Sequence, residues 1–150
     1  MINKKWAWRY MKMADLVATW SKDPDRQVGA IAVGNKGQIL SQGYNGFPRD
    51  VKDDDRLNTR DKLKFMVHAE ANLIYNTMYN GGNLFGVSVF ISGLPPCLEC
   101  AKSLIQVGVK DIYVQAQQLD NISQNWAENL ERSRLLLLEA KVGFHYVDMK

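Results

Sequence analysis

The chain has 150 residues, 46% hydrophobic and 23% charged, and carries a formal net charge of +3 at pH 7. These values suit a globular chain with a sizeable core, and the length suits one domain over 1–150. The first twenty residues mix apolar with basic residues and lack an unbroken apolar run, which excludes a signal peptide or a membrane span there. The mild charge leaves room for an anionic substrate but does not form the clustered basic patch of a nucleic-acid binder.

In chain order, Trp6, Tyr10, Met13, Val17 and Trp20 follow helical spacing, with Lys4, Lys5, Arg9 and Lys12 largely off that stripe. This predicts an amphipathic first helix with the aromatic stripe in the core. The stretch 21–25, SKDPD, ends it. Two apolar runs, 28–33 and 38–44, flank the turn 34–37 and predict an antiparallel hairpin. Residues 45–67 balance acids and bases and read as a solvated connection with a helical turn or two, the kind of segment where lids and regulatory surfaces lie. Helices follow at 69–79 and 97–107, strands at 87–92 and 111–115, then a helix carrying Trp126, Leu130, Ser133, Leu137 and Ala140, and a strand at 144–147. Helices alternating with strands after a hairpin imply right-handed crossovers and a mixed sheet between helical layers.

Two short motifs carry chemistry. His68-Ala69-Glu70 stands before one predicted helix, and Pro96-Cys97-Leu98-Glu99-Cys100 opens another. One imidazole and two thiolates form a good ligand set for zinc. Cysteines three apart share one side of a helical turn. Pro96 suits the first helical position, which places both cysteines in the opening turn, where the helix dipole favours thiolates. A structural zinc site is closed by four protein ligands, whereas a catalytic one keeps a position for water. The remaining histidine, His145, falls in a distant strand-like run, so the reading is three ligands plus water. Glu70 is placed to shuttle a proton from that water. Glu99 reads as solvated. With both cysteines assigned to metal, none is left for a disulfide, which fits a reducing, cytoplasmic setting.

The combined H-x-E and P-C-x-x-C pattern resembles the signature of the zinc nucleobase deaminases. With QVGAIAV, SQGYNGFPRD, HAEANLI and PPCLECAKSLIQVGVKDIYV, the likeness extends over roughly residues 21–147. It is to the cytidine deaminase superfamily, and G-Y-N-G after the second strand tilts it to the deoxycytidylate (dCMP) deaminase branch. The resemblance implies an α/β/α sandwich with a five-stranded mixed sheet and a homo-oligomer, often a hexamer. It implies zinc on His68, Cys97 and Cys100, and Glu70 as proton shuttle. It places Asn45 on the nucleoside part of the substrate and the backbone N–H of Ala69 near the base. Arg26 is the candidate for the 5′-phosphate, since a guanidinium gives two parallel bonds to phosphate oxygens. Tyr113 is a candidate for the base pocket, with an ordinary buried strand tyrosine as the plainer reading.

Some positions depart from the family pattern. Pro95 stands where Ser is common before Pro-Cys, though its carbonyl is still available to a leaving amine. Val67 stands where many members have Cys, and residues 45–67 contain no extra zinc ligand. The stretch 117–125 is also unlike the family, which leaves regulation by dCTP and dTTP open. The leading function is deamination of dCMP to dUMP and ammonia, feeding dTMP synthesis. A cytidine or deoxycytidine deaminase, or a tRNA adenosine deaminase, shares the chemistry. A non-catalytic, zinc-stapled binding module is the alternative of another class.

Overall fold

The computed structural model describes residues 2–116 and 122–150. Of the divergent stretch 117–125, residues 117–121 therefore lie outside the described residues. The elements are α1 (Lys4–Ala18), β1 (Gly29–Val33), β2 (Ile39–Tyr44), a 3₁₀ turn (Asp55–Asn58), α2 (Lys62–Phe65), α3 (Ala69–Tyr79), β3 (Ser88–Ser92), α4 (Leu98–Gln106), β4 (Asp111–Gln115), α5 (Gln124–Glu139) and β5 (Gly143–Val147).

The strands form one sheet in the order β2-β1-β3-β4-β5. The β1–β2 hairpin is antiparallel, as the turn between the two apolar runs implies, and β1 also runs antiparallel to β3. Strands β3, β4 and β5 are parallel to one another, joined through α4 and α5. Successive side chains on a strand face opposite ways, so one sheet supplies two cores. Ala30, Ala32, Val89, Ile91, Ile112 and Val114 pack with Leu73, Leu104 and Leu137 of α3, α4 and α5. Their alternates Ile31, Val33, Phe90, Tyr113 and Val147 pack with Ala7, Tyr10, Met11, Ala14 and Val17 of α1. The result is the expected three-layer α/β/α arrangement on a five-stranded mixed sheet.

The stripe expected on α1 is wrong in detail. The buried face is Ala7, Tyr10, Met11, Ala14, Val17 and Ala18, while Trp6, Met13 and Trp20 are 45%, 41% and 48% exposed. Close packing decides the rotation. A Cβ at Gly29 would lie 2.3 Å from the Ala14 carbonyl oxygen and 2.4 Å from the Ala18 nitrogen. The α1 backbone rests directly on β1, and only small side chains fit that contact.

The same device seats α3. A Cβ at Gly43 on β2 would lie 2.3 Å from the Leu73 nitrogen and 2.4 Å from the Ala69 carbonyl oxygen. Asn72 and Asn76 tie α3 to β2 by donating to the Tyr44 and Gln42 carbonyls, both at 2.7 Å. The segment 45–67 leaves and returns at one point, where Gly46 and Val67 exchange backbone hydrogen bonds of 3.1 and 2.7 Å. It contains the 3₁₀ turn and α2, in keeping with the turn or two expected.

Gly43→Ala is expected to lower stability by about 1–3 kcal/mol, the usual range for overpacking. Gly82→Ala, whose added methyl would meet nothing nearer than 3.6 Å, is expected to be tolerated. Urea unfolding of the two variants checks the contrast.

Candidate metal centre and active-site cavity

Two helix starts converge on one point. His68 is the N-cap of α3 and Cys97 the N-cap of α4, both with extended backbone, and neither side chain caps its own helix. Cys100 lies in the first turn of α4. Pro96 is thus two residues ahead of the first helical residue, Leu98, rather than at that position. The opening turn still collects both cysteines, because Cys97 occupies the cap.

The His68 Nδ1 lies 3.5 Å from the Cys97 Sγ and 3.4 Å from the Cys100 Sγ. All three ligand atoms are within 4.8 Å of one another. A tetrahedral zinc with ordinary bond lengths separates its nitrogen and sulfur ligands by about 3.6 Å, so the spacing fits that ion. The electrostatics fit as well. The Cys97 thiol is lowered to about 4 by its hydrogen bond with Cys100, with burial opposing and His68 assisting. Cys100 is held above the ordinary thiol range as the other half of that bond. The protein alone favours one thiolate, and a cation makes the second favourable. Zinc is the cofactor that this donor set suits. His145 lies elsewhere, with its Nε2 2.9 Å from the Asp111 Oδ1.

Helix α5 braces the cysteine loop. The Asn129 Oδ1 accepts from the Leu98 N–H at 2.9 Å, capping α4 from outside. The Ser133 hydroxyl donates to the Pro96 carbonyl at 2.6 Å. The sequence places Ser133 on a helical face but has no local signal for either contact.

Beside the cluster is a cavity of about 450 Å³, well within the range for small-molecule sites. It is lined by His68, Ala69, Glu70, Pro95 and Cys97, and by Arg26 and Asn45. Glu70 is only 4% exposed, and burial pushes its carboxyl up to about 7. A carboxyl so poised can take up and release a proton near neutral pH. The Asn45 amide spans the start of β1. Its Oδ1 accepts from the Val28 N–H and its Nδ2 donates to the Arg26 carbonyl, both at 2.9 Å.

Tyr113 does not belong to this cavity. It is on the α1 face of the sheet, stacked on Phe90 at 4.4 Å and on His145 at 4.6 Å. Strand alternation puts its side chain opposite Ile112 and Val114, which face the layer that holds the site. The expectation that it lines a base pocket is therefore overturned, and the plainer reading of a buried strand tyrosine holds. Glu99 is exposed and pairs with Lys102, as a solvated residue would. Sequence reasoning missed Arg60, Lys62 and Trp126, which also line the cavity. The segment 45–67 carried no motif, and Trp126 read only as part of a helical stripe.

Fold and centre together define a zinc-binding deaminase-type domain, and comparison with known proteins identifies its family. The family described as "Cytidine and deoxycytidylate deaminase zinc-binding region" matches residues 4–116. The chain belongs to that cytidine and deoxycytidylate deaminase family. It is 36% identical over 140 residues to an uncharacterized deaminase in the luxG 3′ region of Aliivibrio fischeri, covering 92% of this chain and 90% of that one. It is 35% identical over 149 residues to the Homo sapiens deoxycytidylate deaminase, covering 93% and 78%. Among solved structures, it resembles the dCMP deaminase of cyanophage S-TIM5 in complex with dCMP and dUMP. That match has a TM-score of 0.76 and 26% identity, and covers 96% of this chain and 98% of that one.

Cys97→Ala is expected to abolish stoichiometric zinc binding, read by elemental analysis. Ser133→Ala is expected to weaken zinc affinity by about 10–100-fold, the usual effect of removing a group that orients a ligand. Competition with a chromophoric chelator measures it.

Proposed function

We propose that the protein is a zinc-dependent dCMP deaminase, converting dCMP and water to dUMP and ammonia. The observation that carries this reading is a buried, protonatable Glu70 beside a three-donor metal cluster, in a cavity of nucleotide size. Similarity to deoxycytidylate deaminases along most of the chain supports the choice of substrate.

Bound by His68, Cys97 and Cys100, zinc supplies the Lewis acidity that makes water a nucleophile at neutral pH. The protein's own groups handle the protons. Glu70 accepts the proton of the attacking water, a step its burial favours, because a neutral carboxyl is more stable there than a carboxylate. It delivers that proton to the ring nitrogen and a later one to the departing amine. The Ala69 N–H is one of the first, unpaired donors of α3 and is free to bond the base. The Pro95 carbonyl accepts from the amine, since the neighbouring Pro96 carbonyl is taken by Ser133. Asn45 keeps a second Nδ2 hydrogen for the sugar, and Arg26 binds the 5′-phosphate.

Further features follow from this reading. Residues 1–150 form a single deaminase domain, and one sheet with both helical layers supports this. The protein acts in the cytoplasm as a homo-oligomer, of hexameric size in the fuller form of the proposal, with dCTP and dTTP as regulators. Among the described residues, no helix is long and apolar enough to cross a membrane. Exposed Trp6, Trp8, Met13 and Leu16 on α1, and Tyr75, Met78 and Tyr79 on α3, support self-association. Light scattering coupled to size exclusion is expected to give a mass several times 17.1 kDa, and a monomer would remove that part of the proposal.

Ammonia release is expected from dCMP well above CMP, deoxycytidine and adenosine-containing tRNA. Glu70→Gln is expected to retain zinc while kcat falls at least 10²–10⁴-fold, the ordinary worth of general acid–base catalysis. Activity within a few-fold of wild type would assign the proton to another group. No ammonia from any substrate would favour a zinc-stapled binding module. Arg26→Ala is expected to lower kcat/KM for dCMP by about ten- to a hundredfold, with deoxycytidine little changed.

A further inference from the structure

Lys62 is a buried lysine at the wall of the cavity, its side chain 8% exposed. Lysine is seldom buried unless paired. Here its Nζ donates to the Asp23 Oδ1 at 2.8 Å and to the Asp25 Oδ2. Burial pushes its pKa down, but the two carboxylates outweigh this and hold it above the ordinary range. The contact joins α2, in the 45–67 segment, to the loop between α1 and β1.

That loop carries Arg26. The Asp23 Oδ1 that receives Lys62 also accepts from the Asp25 N–H at 2.9 Å and the Arg26 N–H at 3.3 Å. Asn45 holds the Arg26 carbonyl. The Arg26 backbone is thus gripped at both ends, and Lys62 orients the carboxylate that makes one grip. Charge adds a second consequence. Besides Glu70 and the metal cluster, the charged residues lining the cavity are Asp23, Asp25, Arg26, Arg60 and Lys62. Among the described residues, neither Arg26 nor Arg60 forms an ion pair, whereas Lys62 answers both aspartates. Without Lys62, two carboxylates would cancel the two guanidinium groups at a cavity meant for a phosphate.

We propose that Lys62 is a specificity-determining positioning residue, which neutralises Asp23 and Asp25 and fixes Arg26 through Asp23, so that the cavity favours a nucleotide monophosphate over the bare nucleoside. This rests on the dCMP reading above. Lys62 touches no reacting atom and acts on the phosphate only through its neighbours.

The test compares kcat and KM for dCMP and deoxycytidine in the zinc-loaded enzyme and three variants. Lys62→Met is expected to raise KM for dCMP about tenfold or more, the scale of one charge-assisted bond, with kcat within a few-fold and deoxycytidine little affected. Lys62→Arg is expected to restore most of the preference. Asp25→Asn is structurally mild, because that side chain is 75% exposed. It leaves Lys62 paired with Asp23 and adds one net positive charge, so it is expected to lower KM for dCMP several-fold. This last variant decides the charge argument even if Lys62→Met does not fold. A wild type that prefers dCMP, beside variants that keep that preference unchanged or lose both substrates in parallel, would overturn this role alone. A wild type that handles deoxycytidine as well as dCMP would overturn the substrate reading and this proposal together.

Discussion

The convergence of the α3 and α4 starts on one ion is the constraint on which the rest of the site depends. Each helix presents its positive dipole end to the same place. The two N-cap side chains, His68 and Cys97, turn to the cluster instead of closing their own helices. The Cys97 loop is held instead by Asn129 and Ser133 from a third helix. A second thiolate is stable only with a cation present, so metal binding and the geometry of both helix starts are one equilibrium.

Glycine and small side chains make that convergence possible. Helix α3 can approach β2 only because Gly43 has no side chain, and this contact sets the height of His68 and Glu70 above the sheet. Helix α1 approaches the opposite face in the same way at Gly29. The sheet is therefore clamped between two helices at backbone contact. Of the large aromatic residues of α1, Trp6 and Trp8 are displaced to the outside, where they add to an apolar surface, while Tyr10 stays in the core.

The parts of this molecule that were legible in the sequence are those whose signal is local. The hairpin, the alternation of helices and strands, and the metal ligands each rest on patterns a few residues long. The α1 stripe misled because periodicity reports hydrophobicity, whereas the face was chosen by size against Gly29. Tyr113 misled because its motif neighbourhood says nothing about which face of β4 its side chain takes. Pro96 fell two residues short of the first helical position because the cysteine itself serves as the cap. Asn129 and Lys62 were invisible for a further reason. Their partners are 31 residues away in one case and 37 and 39 in the other, and no short pattern encodes such contacts.

On the proposed function, the cavity must satisfy two opposed electrostatic demands. Glu70 has to be easy to protonate, which calls for burial without a guanidinium or ammonium group paired to it. A phosphate calls for such groups within reach. The fold separates the demands by source. Glu70 is buried at the start of α3, where its environment is set by helix packing and the metal cluster. The cations Arg26, Arg60 and Lys62 come from the two irregular connections, 21–28 and 45–67. Those connections are joined to each other by the Lys62 and Lys22–Asp53 ion pairs and by the Asn45 amide rather than by strand pairing. The charge proposed to face the phosphate can therefore change with the loops while the carboxyl proposed to transfer protons stays with the scaffold.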